Sequence, residues 1–170
     1  MKTYCGCCDK TYPNDDELAF HHWLVEAMKY GHIKGWGHQF PTFPLSGKFR
    51  VLEFSKKTGT AKMVTKREHT YTPDFWFSGA SKKLLELIPE IAEDVIRSYF
   101  DVKPSFEKNH SRTEAFRVNQ KWMRFRHGIF VRPVVPKDFF HRTWVPEKLA
   151  FRLNGTRRTP FAECRLVCEI

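Results

Sequence analysis

Asp74, Asp101 and Lys103 are the residues of this chain whose types and surroundings can do chemistry together. Asp74 stands in the run His69-Thr70-Tyr71-Thr72-Pro73-Asp74-Phe75-Trp76-Phe77, and Asp101 and Lys103 close a second run, Tyr99-Phe100-Asp101-Val102-Lys103. Short apolar runs of this kind read as strands, so the two carboxylates and the ammonium are expected at adjacent strand ends. Hard cations such as Mg²⁺ take oxygen ligands and keep several waters, so two carboxylates can hold one beside a phosphodiester while a lysine orients the attacking water. The chemistry these residues point to is metal-assisted phosphodiester hydrolysis. A Pro-Asp pair also marks ordinary turns, and an Asp-x-Lys also serves as a solvated ion pair at a strand end. The order of the surrounding elements therefore has to separate the two readings.

Upstream, Phe20, Trp23, Leu24, Ala27 and Met28 recur at helical spacing, Gly31 supplies a stop, and Glu17 falls in the first turn. Glu26, nine positions after Glu17, is the competing carboxylate and is expected to face solvent. An alternating stretch follows over 48–54. Lys56-Lys57-Thr58-Gly59-Thr60 then reads as a hairpin turn leading into the strand that ends at Asp74. Between the two acidic positions, residues 81–97 carry Pro89 and, after it, Ile91, Val95 and Ile96 at helical spacing, which predicts a helical insertion or an elaborated hairpin tip. Downstream, a helix is expected over 111–127. Most of its apolar residues, Phe116, Val118, Trp122, Met123 and Phe125, are assigned to the core, because a helix covering a sheet must bury one face. Arg112, Arg117, Lys121, Arg124 and Arg126 are its candidates for phosphate contact. Residues 129–135 read as the last strand, placed at an edge by Pro133.

In this order the chain resembles the PD-(D/E)XK nuclease superfamily over roughly residues 15–135. It is most similar to the phage junction-resolving and small phage nuclease branches. The resemblance rests on Glu17, Gly31-His32-Ile33, Gln39, the run His69 to Phe75 with its Pro73-Asp74-Phe75, Asp101-Val102-Lys103 and Arg112-Thr113-Glu114-Ala115-Phe116. It implies an α/β, restriction-endonuclease-like core of helix, mixed sheet with hairpin, helix and strand. It also implies a Mg²⁺- or Mn²⁺-dependent DNA endonuclease, phage-encoded, acting on branched DNA as a homodimer. Asp74 would bridge the metal, Asp101 and the Val102 carbonyl would complete its shell, Glu17 would add a ligand from the first helix, and Lys103 would act on the nucleophilic water. One departure is the length between Asp74 and Asp101, where the family usually has about a hairpin. The rival reading is a catalytically inactive, zinc-stapled nucleic-acid or protein-binding module on the same fold.

Charge agrees with a polyanionic partner. The chain carries 29 Lys and Arg against 19 Asp and Glu, a net +10. Residues 1–102 are nearly balanced, so almost all of the excess follows the proposed catalytic lysine. A basic field beside an anionic metal site lets a phosphate backbone approach despite the carboxylates.

All five cysteines lie at the ends: Cys5, Cys7, Cys8, Cys164 and Cys168. An odd count without a signal peptide argues against disulfides and for a reducing, cytoplasmic setting, which is the host cytoplasm if the chain is phage-encoded. Cys5 and Cys8 with Cys164 and Cys168 can close a four-thiolate Zn²⁺ site. Alternatively, Tyr4 to Tyr12 with Leu18 and His21 is similar to the first three-quarters of a two-Cys, two-His zinc finger. The last histidine of that pattern is missing, and His22 or a tail cysteine is left to complete the shell.

At 170 residues with 41% hydrophobic and 15% aromatic content, the chain can bury a real core, and no apolar stretch approaches a membrane span. The expected organisation is a Cys-rich extension over 1–14, the core over 15–135 with its insertion at 81–97, and a basic, aromatic extension over 136–170.

Overall fold

Asn14 starts the first helix. Its side-chain oxygen accepts the Glu17 N–H at 2.9 Å, ahead of Asp15, Asp16 and Glu17 in the first turn, where the positive end of the helix dipole favours acidic residues. The helix spans Asp15–Lys29, and Gly31 follows it at φ 74°, a left-handed conformation that glycine takes without strain. Phe20, Trp23, Leu24 and Ala27 are fully buried along one face, whereas Met28 at its margin is half exposed.

The structure, a computed structural model, describes residues 2–5, 9–92, 94, 96–103, 111–149, 151–154 and 157–160, the last two segments and residues 111–112 by backbone alone. In chain order the elements are β1 (Thr3–Cys5), β2 (Lys10–Tyr12), α1 (Asp15–Lys29), β3 (Gly35–His38), β4 (Phe43–Ser46), β5 (Phe49–Ser55), β6 (Thr60–Lys66), β7 (His69–Tyr71), β8 (Phe75–Ser78), α2 (Lys82–Leu87), a 3₁₀ turn (Pro89–Ile91), β9 (Ser98–Val102), α3 (Ser111–His127), β10 (Val131–Val134), α4 (Pro136–Arg142), β11 (Phe151–Asn154) and β12 (Arg157–Pro160). The chain is mixed α/β, with several sheets and, among the described residues, four α-helices.

The largest sheet has the order β10-β9-β8-β3. β3, β8 and β9 pair antiparallel in turn, and β10, reached through α3, lies parallel to β9 at the edge, where Pro133 costs no ladder hydrogen bond on the open side. Alternation along the strands separates two cores. Phe75, Phe77, Phe100, Val102 and Val134 pack with Phe20, Trp23 and Leu24 of α1 and with Phe139 and Phe140 of α4. Tyr99 and Val131 pack on the opposite side with Phe116 and Met123 of α3 and with Leu45 and Tyr71. The sheet thus carries α1 and α4 against one face and α3 against the other.

Among the described residues of 81–97 the α-helix precedes Pro89, and Val95, one of the residues read at helical spacing after it, lies outside the described residues. Ser81 caps α2 by accepting the Leu84 N–H at 3.2 Å, and Pro89, lacking an N–H, opens the separate 3₁₀ turn. Leu84, Ile88 and Ile91 anchor the insertion in the α1-side core, while Ile96 is 76% exposed. The insertion leaves the β8–β9 pairing intact, with Phe75 opposite Phe100.

The hairpin turn near Gly59 is present, joining β5 and β6, but its second strand does not run on to Asp74. β6 ends at Lys66, β7 pairs with β4, and Asp74 stands just ahead of β8. The alternation over 48–54 buries no face either: Phe49, Leu52, Phe54 and Met63 of the ribbon are all about half exposed or more. On α3, Phe116 and Met123 are buried as expected, but Val118, Trp122 and Phe125 are exposed, Phe125 by 83%. Residues 116 and 123 are two turns apart and share a face, whereas 118, 122 and 125 point to the other side.

Candidate functional site

Asp74 sits where β8 begins, and antiparallel pairing sets that point beside the end of β9. The Val102 N–H donates to Asp74 Oδ2 at 2.8 Å, and from the other neighbouring strand the Gln39 N–H donates to the Asp74 carbonyl at 2.8 Å. Gln39 reaches this position with φ of 50°, a turn that closes β3. Asp101, two residues beyond Tyr99, projects to the α3 side of the sheet and is 5% exposed. One of its carboxylate oxygens accepts from the Lys103 ammonium and the other from the Tyr71 hydroxyl. The Lys103 backbone N–H donates to the Val134 carbonyl at 2.8 Å, tying the end of β9 to β10, and its ammonium lies 5.5 Å from the Phe116 ring centroid.

Glu17 enters from the first turn of α1. It is 5% exposed, so its charge is not a solvated cap residue of the ordinary kind. Asn14 Nδ2 donates to Oε1 at 3.0 Å, while Oε2 is buried without a hydrogen bond and lies 3.5 Å from His38 Nε2.

The electrostatics join the three carboxylates. Burial pushes the Asp74 carboxyl up to about 8, and the charges of Asp101 and then Glu17 push the same way, against the Val102 N–H and the Lys103 ammonium. Burial, with the neighbouring Asp101 charge, also pushes the Tyr71 hydroxyl above its usual range, so it remains a donor. An all-oxygen donor set, with one buried carboxylate oxygen that makes no hydrogen bond and a carboxyl raised by burial and like charge, suits the chemistry of a hard divalent cation. A cleft of about 960 Å³ lies elsewhere, lined by Arg97, Tyr99, Arg132 and neighbours, and holds none of these carboxylates.

A second group lies at the start of the chain. Cys5, His21 and His22 each present a donor atom, and the three lie within 4.8 Å of one another, the one Cys, His, Asp or Glu group so drawn together among the described residues. The carboxylates of Glu17, Asp74 and Asp101 are more widely spread.

The sequence-derived residues Asp74, Asp101, Val102, Lys103 and Glu17 are therefore brought to one end of the sheet. Glu26 is not with them, and it does not face solvent: it is 8% exposed, and its Oε1 accepts the Glu147 N–H at 2.7 Å, holding the chain after α4 against α1. Arg117, Lys121, Arg124 and Arg126 are exposed on α3, with Arg124 bonded to the Gly128 carbonyl and Arg126 to the Leu45 carbonyl. Cys8, Cys164, Cys168 and the Arg112 side chain lie outside the described residues. Tyr71 and His38 were not assigned roles from the sequence. The only signal for Tyr71 was its place on the same strand run as Asp74, and nothing local marked His38 as the neighbour of Glu17. No protein-family model, no curated protein and no solved structure matches this chain.

Proposed function

We propose that this chain is a divalent-metal-dependent DNA endonuclease of the PD-(D/E)XK kind. The observation that carries the reading is Asp74 lying between the charges of Asp101 and Glu17, with Lys103 on the adjoining Asp101. The order helix, three antiparallel strands, helix and parallel edge strand in the main sheet supports a restriction-endonuclease-like core. Asp74, Asp101, the Val102 carbonyl and Glu17 would hold Mg²⁺ or Mn²⁺, which supplies Lewis-acid activation of water and neutralises charge on the phosphoryl oxygens. Lys103 directs N–H donors toward the attacking water and the developing charge on the pentacovalent phosphorus. Tyr71 holds Asp101 in place from the other oxygen. Water adds at phosphorus in line, the bond to the 3′ oxygen breaks, and the products carry a 5′-phosphate and a 3′-hydroxyl.

The exposed basic residues of α3 support contact with the phosphate backbone, most directly Lys121. Branched DNA and a homodimer are the sharpest form of the reading. The β5–β6 ribbon, paired with no other strand among the described residues and exposing Phe49, Leu52, Phe54 and Met63, supports a second copy as its cover.

A second reading, a non-catalytic binding module, is favoured by one observation: both oxygens of Asp101 are already engaged, by Lys103 and Tyr71. The deciding experiment is cleavage of a four-way junction, a linear duplex and single strands of matched sequence, in Mg²⁺, Mn²⁺ or EDTA, with wild type and Lys103→Ala. Junction-selective, metal-dependent cutting lost in the variant supports the endonuclease. Tight binding without cutting in any metal leaves the binding module.

A further inference from the structure

We infer that Cys5, His21 and His22 form a zinc site that joins the N-terminal hairpin to α1. The site is separate from the carboxylate cluster and does not depend on the endonuclease reading. β1 and β2 pair in register, Cys5 opposite Lys10, so that the end of β1 is laid against the helix that follows. Cys5 is 4% exposed and His21 1% exposed. Both ring nitrogens of His21 are buried and neither has a hydrogen-bond partner, an unusual state for an imidazole, whose nitrogens ordinarily find a donor or acceptor when removed from water. A metal ion on one of those nitrogens removes half of that deficit.

The donors suit zinc. Thiolate sulfur and imidazole nitrogen are its usual ligands, at about 2.3 Å and about 2.0–2.1 Å in a tetrahedral shell. Three donor atoms within 4.8 Å of one another need only a small inward movement to reach that shell. His21 and His22 are consecutive on α1, with ring centroids 5.4 Å apart, so both rings approach the same point beside Cys5. Mg²⁺ and Ca²⁺ prefer oxygen and are not candidates here. Three protein donors leave a fourth position of the tetrahedron for another ligand, and the bound ion fixes the short hairpin, too small to be stable alone, onto the helix that carries Glu17 one turn away.

The test is zinc content and ligand type in the whole chain, purified without chelators. X-ray absorption at the zinc edge is expected to show one stoichiometric zinc with both sulfur and at least two imidazole nitrogens in its shell. Replacing zinc with Co²⁺ is expected to give a thiolate charge-transfer band that weakens in Cys5→Ser, and His22→Ala is expected to lose stoichiometric zinc. Protein that takes up no stoichiometric zinc overturns the inference, as does a shell of sulfur alone. The wild-type spectrum decides the matter even if a variant does not fold.

Discussion

The Tyr71 hydroxyl donates to one oxygen of Asp101 while the Lys103 ammonium takes the other, so a buried carboxylate is clamped from two strands at once. Tyr71→Phe removes one donor to a buried charged acceptor, a loss of about 1.5–3 kcal/mol. The melting temperature is expected to fall by several degrees. Freed of that restraint, Asp101 is expected to bind metal with altered affinity, so the Mg²⁺ concentration for half-maximal cleavage should shift. A thermal melt and a metal titration check both. An unchanged midpoint with lowered stability would leave Tyr71 a purely structural residue.

Asp74 is held at about 8 in the folded chain against an ordinary value near 4. A raised carboxyl binds its proton more tightly when folded, so this contribution to stability is complete below about pH 4 and is lost as pH rises through about 8. Metal binding must displace that proton. Mg²⁺ affinity is therefore expected to climb with pH up to about 8 and then level off, with proton release measurable by calorimetry in buffers of different ionisation enthalpy.

Asp74→Asn separates stability from function. It keeps the acceptor for the Val102 N–H but removes a charge placed between two others. Metal-free Asp74→Asn is expected to melt higher than metal-free wild type at pH 8, with cleavage abolished. A lower melting temperature would show that the carboxylates do not repel one another as the structure implies.

The two faces of α3 make opposite predictions. Met123 is fully buried and Phe125 is 83% exposed. Met123→Ala should cost about 2–5 kcal/mol, whereas Phe125→Ala should stay within about 0.5 kcal/mol of wild type by denaturant melts.

Lys121 lies on the exposed side of the same helix. Lys121→Ala is expected to weaken binding to all DNA sequences alike and to lower the slope of log affinity against log salt by about one. An unchanged slope would move the phosphate path off α3.

Local order was legible in the sequence because short-range rules produce it. Helical spacing with Glu17 in the first turn marks α1, Gly31 follows its end, and Pro133 puts β10 at an edge. The spacing of Pro73-Asp74 and Asp101-Val102-Lys103 around apolar runs was enough to name the carboxylates and the lysine. What tertiary structure decided is which distant side chains meet. Glu17, not Glu26, reaches the site, because the first turn of α1 lies over that end of the sheet while Glu26 is taken by the Glu147 N–H. Tyr71 reaches Asp101 across 30 positions of chain, and Cys5 meets both His21 and His22 through a hairpin folded back on a helix. Periodicity named the apolar residues of α3, but only its docking on β10 and β4 selected Phe116 and Met123 for burial over Trp122 and Phe125. Caps, turns and alternation act within a few residues, whereas a site of convergent charges forms only when strand pairing and helix docking bring remote backbone together.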